Sequence, residues 1–179
     1  MIFLFRIISD ENPDFYRDLV AEGSDTFLDV HNTLQKDLEY DATQLASFFI
    51  TNKQWEKQQE ITLIDMMQEP GIASQTMEQV TLEEHICELN QRMIYLFDFF
   101  SDSAFFIELI EMSDELSPRE TPFIGSRQGD PPPQLALDDL LMDDSPQQAE
   151  ELDPLDGPDN LRIDDLDPDM LDDGMPEDF

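Results

Sequence analysis

The sequence predicts an α+β fold: a mixed or antiparallel sheet of about five to six strands packed on one main helix and one or two short helices, followed by a disordered acidic tail. Three observations predict it. Residues 92–112 are the most hydrophobic stretch of the chain and have the composition of a β-hairpin. Residues 27–38 carry apolar side chains at helical spacing. The composition then changes near Gly129: residues 130–179 hold 18 acidic residues and one basic residue, Arg162, and nearly all the aromatics precede them. We therefore divide the chain into an α+β domain at 1–129 and an acidic, Pro/Asp/Leu-rich disordered tail at 130–179.

The hairpin arms are residues 93–99 and 104–112, dense in aromatic and β-branched side chains, with Ser101, Asp102 and Ser103 supplying the reversal. A single long helix is the alternative. It is disfavoured because Ser-Asp-Ser would interrupt it, and because apolar residues on all sides suit a strand covered on both faces. Asp98 stands among Phe97, Phe99 and Phe100. An unpaired carboxylate is costly to bury, so it either turns outward at the strand end or has a specific donor.

The other elements follow in order. Residues 2–8 read as a first strand, ended by the polar run Asp10-Glu11-Asn12-Pro13, and residues 15–20 as a second. Thr26 is placed as an N-cap with Asp29 at the third position, and Phe27, Val30, His31, Leu34 and Leu38 form the buried stripe of the main helix. His31 is read as a packed core histidine rather than a ligand, since no second ligand follows at metal spacing. Residues 46–51 and 60–64 read as strands. Trp55, between them, is either a rim residue covering the sheet or a partner contact. Residues 65–80 read as loop, and 81–90 as a short helix begun by Thr81-Leu82-Glu83-Glu84, with His85 solvated. Residues 113–118 return to loop, and Pro131-Pro132-Pro133 reads as a polyproline stretch laid over the domain.

Lys and Arg total 9 against 43 Asp and Glu, a net charge of −34. That balance argues against direct nucleic-acid binding and against anionic membranes, and leaves a protein with a basic surface as the expected partner. The single cysteine, Cys87, is expected to be a small buried side chain in a reducing, cytoplasmic setting. Residues 1–5 are too short an apolar run for a membrane span or a signal peptide.

Pro13, Phe15-Tyr16-Arg17, Thr26-Phe27, Val30-His31, Leu34-Gln35, Tyr40, Leu45 and Phe48, followed by Tyr95-Leu96-Phe97-Asp98-Phe99 and Asp102, stand in an order that resembles the plasmid pRiA4b Orf-3-like family. Thr121-Pro122-Phe123-Ile124-Gly125 and Gly129-Asp130-Pro131-Pro132-Pro133-Gln134 resemble its closing segment. The chain departs from the family at Asp18, where a second arginine is usual, at Glu39, where glycine is, and at Gln44, where histidine is. The resemblance implies an α+β fold and adds no reaction, because the family's biochemical role is unassigned.

No phosphate loop, nucleophile elbow or Cys-x-x-Cys occurs, so no catalytic residue, metal or cofactor is assigned. A candidate polar cluster comprises Asp98, Asp102, His31 and Arg17. Candidate partner-binding residues are Trp55 and the tail's Leu137, Leu140, Leu141, Ile163 and Leu166, whose leucines alternate with aspartates. The expected function is a non-enzymatic interaction or adaptor protein whose acidic tail docks on a basic protein surface. The alternatives are a hydrolase-like enzyme with one pocket around Asp98, Asp102 and His31, and a nucleic-acid-mimicking inhibitor of a DNA-binding protein.

Overall fold

The computed structural model describes residues 1–65, 75–115, 117 and 119–135. Among these residues seven strands form one antiparallel sheet: β1 Ile2–Ser9, β2 Tyr16–Glu22, β3 Ser47–Thr51, β4 Lys57–Thr62, β5 Arg92–Asp98, β6 Ser103–Ser113 and β7 Phe123–Gln128. Their order across the sheet is β4-β3-β5-β6-β1-β2-β7, so the β5–β6 hairpin lies at its centre. Helix α1, Phe27–Leu38, packs its stripe on one face, with Phe27, Val30, His31, Leu34 and Leu38 all buried. Thr26 and Asp29 close a full capping box at its start.

The face under α1 is built from the inward positions of five strands. Tyr95 opposes Phe105, Phe5 opposes Leu19, Ile7 opposes Ile107 and Phe48 opposes Tyr95. Aromatic rings fill it: Phe97 stacks on Phe105 and Phe48 on Tyr95, both at 4.5 Å between centroids. Arm β5 is covered on both faces, with every residue after Arg92 buried, whereas β6 alternates. On the far face Trp55 sits edge-on to Phe106 at 5.1 Å with the Arg92 guanidinium over its ring, and so covers part of that face.

Four sequence expectations are corrected. The sheet has seven strands among the described residues, because β7 adds to the free edge of β2 with a sequence, Phe-Ile-Gly-Ser-Arg-Gln, too polar to signal a strand alone. The short helix of 81–90 is only a 3-10 turn, Leu82–Glu84, whose Thr81 makes no side-chain cap. The Gln91 side chain instead bonds the amides of Cys87 and Glu88 and the His85 carbonyl, and Asn90 and Gln91 are already paired with Leu109. Cys87 is exposed rather than buried. His85 is half-buried, its ring edge-on to Phe27, rather than solvated.

Residues 130–135 lie against the domain. Asn12 Nδ2 donates to the Asp130 carbonyl, Tyr40 Oη donates to the Pro132 carbonyl, and Gln134 Nε2 donates to the Phe97 carbonyl. Gly129 starts this crossing at φ 69°, and a Cβ there would stand 2.7 Å from the Asp14 carbonyl oxygen, so glycine is required. The tail residues Leu137, Leu140, Leu141, Ile163 and Leu166 lie outside the described residues.

Candidate functional site

The four residues of the candidate polar cluster are held separately, and no hydrogen bond or ion pair joins any two of them. Arg17 is a cross-brace: its Nε donates to Asp37 Oδ2 of α1 at 2.7 Å, and its Nη1 donates to the carbonyls of Tyr16, Gln128 and Gly129. The guanidinium lies over the Phe15 ring. Asp18, standing where the family has arginine, pairs with Arg6 through both oxygens and accepts from Ser126, which holds its carboxyl below the usual range. Asp102 is exposed in the hairpin turn at φ 56°.

His31 sits in a sealed polar group beneath α1. Its Nδ1 is 2.7 Å from the Tyr95 hydroxyl, and Gln35 Nε2 donates to the same hydroxyl at 2.7 Å. The hydroxyl thus accepts from Gln35 and shares one proton with His31 Nδ1, joining three side chains in one buried polar group. Burial lowers the His31 pKa to about 4, so the ring is neutral, and burial likewise raises that of Tyr95. Gln35 Oε1 has no hydrogen-bond partner, a cost the core bears beneath α1. Phe48, Phe97 and Phe105 enclose the hydroxyl's ring, so this group orients the helix on the sheet and presents nothing to solvent.

Asp98 has the specific donors that its burial demands. Its Oδ1 accepts from the amides of Phe100 and Ser101 at 2.8 and 3.2 Å, and its Oδ2 accepts from the amide of Leu135 at 3.0 Å. Burial alone pushes its pKa up. The amides, that of Leu135 first, outweigh this and hold the carboxyl below its ordinary value. One fully buried carboxylate therefore forms the hairpin turn and pins the segment that crosses it.

What Asp98 positions is an exposed apolar patch. The turn it caps presents Phe99 and Phe100, which are 42% and 63% exposed, and Leu45 and Ile64 beside them are 40% and 51% exposed. Asp41, Thr43, Gln44, Leu45, Phe99 and Phe100 line a cavity of about 280 Å³, and Leu45, Ile64 and Phe99 continue the apolar surface along the ends of β3 and β4. Single exposed hydrophobics are ordinary, but a contiguous patch centred on two phenylalanines is not. A wider groove of about 400 Å³ runs between α1 and β7, but its Asp37 is already shared by Arg17 and Arg127. Sequence reasoning missed Leu45, Ile64 and Phe100 as a set. The available signal was that Leu45 and Phe100 are apolar residues standing just outside the predicted strands 46–51 and 93–99, with Ile64 at the very end of the predicted strand 60–64.

Among the described residues no three His, Cys, Asp or Glu side chains converge as metal ligands, and no helix is long and apolar enough to cross a membrane.

The chain is similar in structure to a protein of unknown function, MM3350, from Methanosarcina mazei Go1: the TM-score is 0.58 at 16% identity, covering 70% of this chain and 68% of that one. At that identity the likeness extends to the fold alone. No curated protein matches the chain. The family model of the plasmid pRiA4b ORF-3-like proteins matches residues 3–135, from the first strand through the amide pinned by Asp98, and the chain belongs to that family.

Proposed function

We propose that this protein is a non-enzymatic interaction protein, an adaptor that receives apolar side chains of a partner at the hairpin-end patch. Its carboxylates, on the rim and in the acidic stretch beyond residue 135, meet basic groups of the same partner. The observation that carries this reading is the pair Phe99 and Phe100, held exposed by a buried, fully bonded Asp98. A side chain so supported is pre-organised, and rigid aromatic anchors lose little entropy on binding. The net charge of −34 selects the partner's sign and speeds its encounter.

The test uses two synthetic peptides of identical apolar spacing, one flanked by Lys and Arg and the other by Glu, titrated against the full chain by fluorescence anisotropy. The basic peptide should bind, and its affinity should fall as salt screens the attraction. Phe100→Ser should weaken it about tenfold or more, the scale of losing an aromatic anchor. Equal affinity for both peptides, or an unchanged affinity in Phe100→Ser, would remove the reading.

A further inference from the structure

The cavity at the hairpin end lies beside the point where the described chain ends. Leu135 donates its amide to Asp98 Oδ2 at 3.0 Å and accepts from Gln44 Nε2 at 2.9 Å through its carbonyl. Gln44 lines the cavity, and Phe99, the next residue after Asp98, lines it as well. The following residues read Ala136-Leu137-Asp138-Asp139-Leu140-Leu141-Met142-Asp143. Leu137, Leu140 and Leu141 are the apolar positions of this run, interleaved with the aspartates. Two residues of chain reach at most about 7 Å, so Leu137 has the cavity within its range.

We propose that Leu137, Leu140 and Leu141 occupy this cavity in the same molecule, so that the docking patch carries its own competitor. The proposal rests on the reading of that patch as a docking surface. A tether of a residue or two makes the local concentration of these leucines far higher than that of any free partner. The contact is held by apolar burial alone, because Asp41 on the rim repels the aspartates that come with the leucines. Salt should therefore strengthen self-occupancy while it weakens a basic partner, two responses of opposite sign. A basic partner displaces the leucines by drawing the aspartates outward and then takes the phenylalanines.

The experiment compares the full chain with its L137S/L140S/L141S variant, which keeps the charge. Hydrogen exchange of residues 43–46 and 99–102, and fluorescence of an apolar dye, report whether the cavity is covered. Faster exchange and several-fold brighter dye in the variant are expected, with the brightness lost again when Phe100→Ser is added. The basic peptide should bind the variant about tenfold more tightly if the patch is free in a tenth of wild-type molecules. Identical exchange and dye response in the two chains would overturn the proposal. So would protection that falls on dilution, since the leucines would then come from a second copy. Cavity uncovering without peptide binding to either chain would sustain this inference while removing the adaptor reading.

Discussion

Replacing Asp98 with asparagine keeps the shape of the side chain and removes its capacity to accept everywhere. The wild-type carboxylate accepts two amides on Oδ1 and one on Oδ2. An amide group has one acceptor oxygen, so its NH2 must face a backbone N–H wherever it turns. Turning it towards Leu135 orphans one donor, and turning it towards Phe100 and Ser101 orphans two, so the cheaper variant structure keeps the hairpin turn and releases Leu135. Losing a bond to a charged acceptor and leaving a donor unsatisfied together cost about 2–3 kcal/mol. Chemical denaturation at neutral pH should show that loss, and hydrogen exchange should place the largest change at Leu135 and its neighbours. The pH dependence has a definite sign. The folded pKa is below the ordinary 3.8, so the wild-type advantage is whole above the unfolded value and is lost as pH falls through the folded one. The two stability curves should thus run parallel from neutral pH to about 4.5 and converge below it. Equal stability at neutral pH, or unchanged exchange at Leu135, would refute the assignment of Asp98 as the pin.

Two further predictions follow from the helix. His31 has a folded pKa of about 4, well below its unfolded value, so its stabilising effect is complete above the unfolded pKa and is lost as pH falls from there towards 4. Between pH 7.5 and 5 the wild type should lose about 2 kcal/mol relative to His31→Leu, which removes the titration and shifts stability only by a constant; parallel denaturation curves at the two pH values would contradict it. Glu39→Gly should stabilise the protein by about 1 kcal/mol, because Glu39 caps α1 at φ 58° and places a negative charge at the helix's negative end. A lower melting temperature in Glu39→Gly would contradict that account of the cap.

The family's habits become physically readable at these positions. Glycine at position 39 is the residue a left-handed cap favours, and this chain tolerates glutamate there because Tyr40, just beyond, is anchored to Gln35 and Pro132. Gln44, in place of histidine, still supplies a donor to the Leu135 carbonyl. Asp18, where the resemblance implies an arginine, is neutralised by Arg6 from the adjacent strand.

The main helix, its Thr26 cap, the central hairpin and the first strand were legible because each is a local signal: an apolar period, a capping pair, or a run of aromatics too dense to stay in water. The demand that Asp98 find donors was equally legible, since the cost of an unpaired buried carboxylate does not depend on the fold. Which amides answer it was not, because Leu135 is 37 residues away and arrives only when the chain crosses back over the hairpin. Strand β7 was illegible for the same reason, its polar sequence becoming a strand only because β2 offers an open edge. The exposed patch was decided by tertiary structure alone: Leu45, Ile64, Phe99 and Phe100 are scattered along the chain and become one surface where the ends of β3, β4 and β5 meet. Sequence determines which groups must leave water or find a partner, and the three-dimensional packing decides which neighbour each one meets.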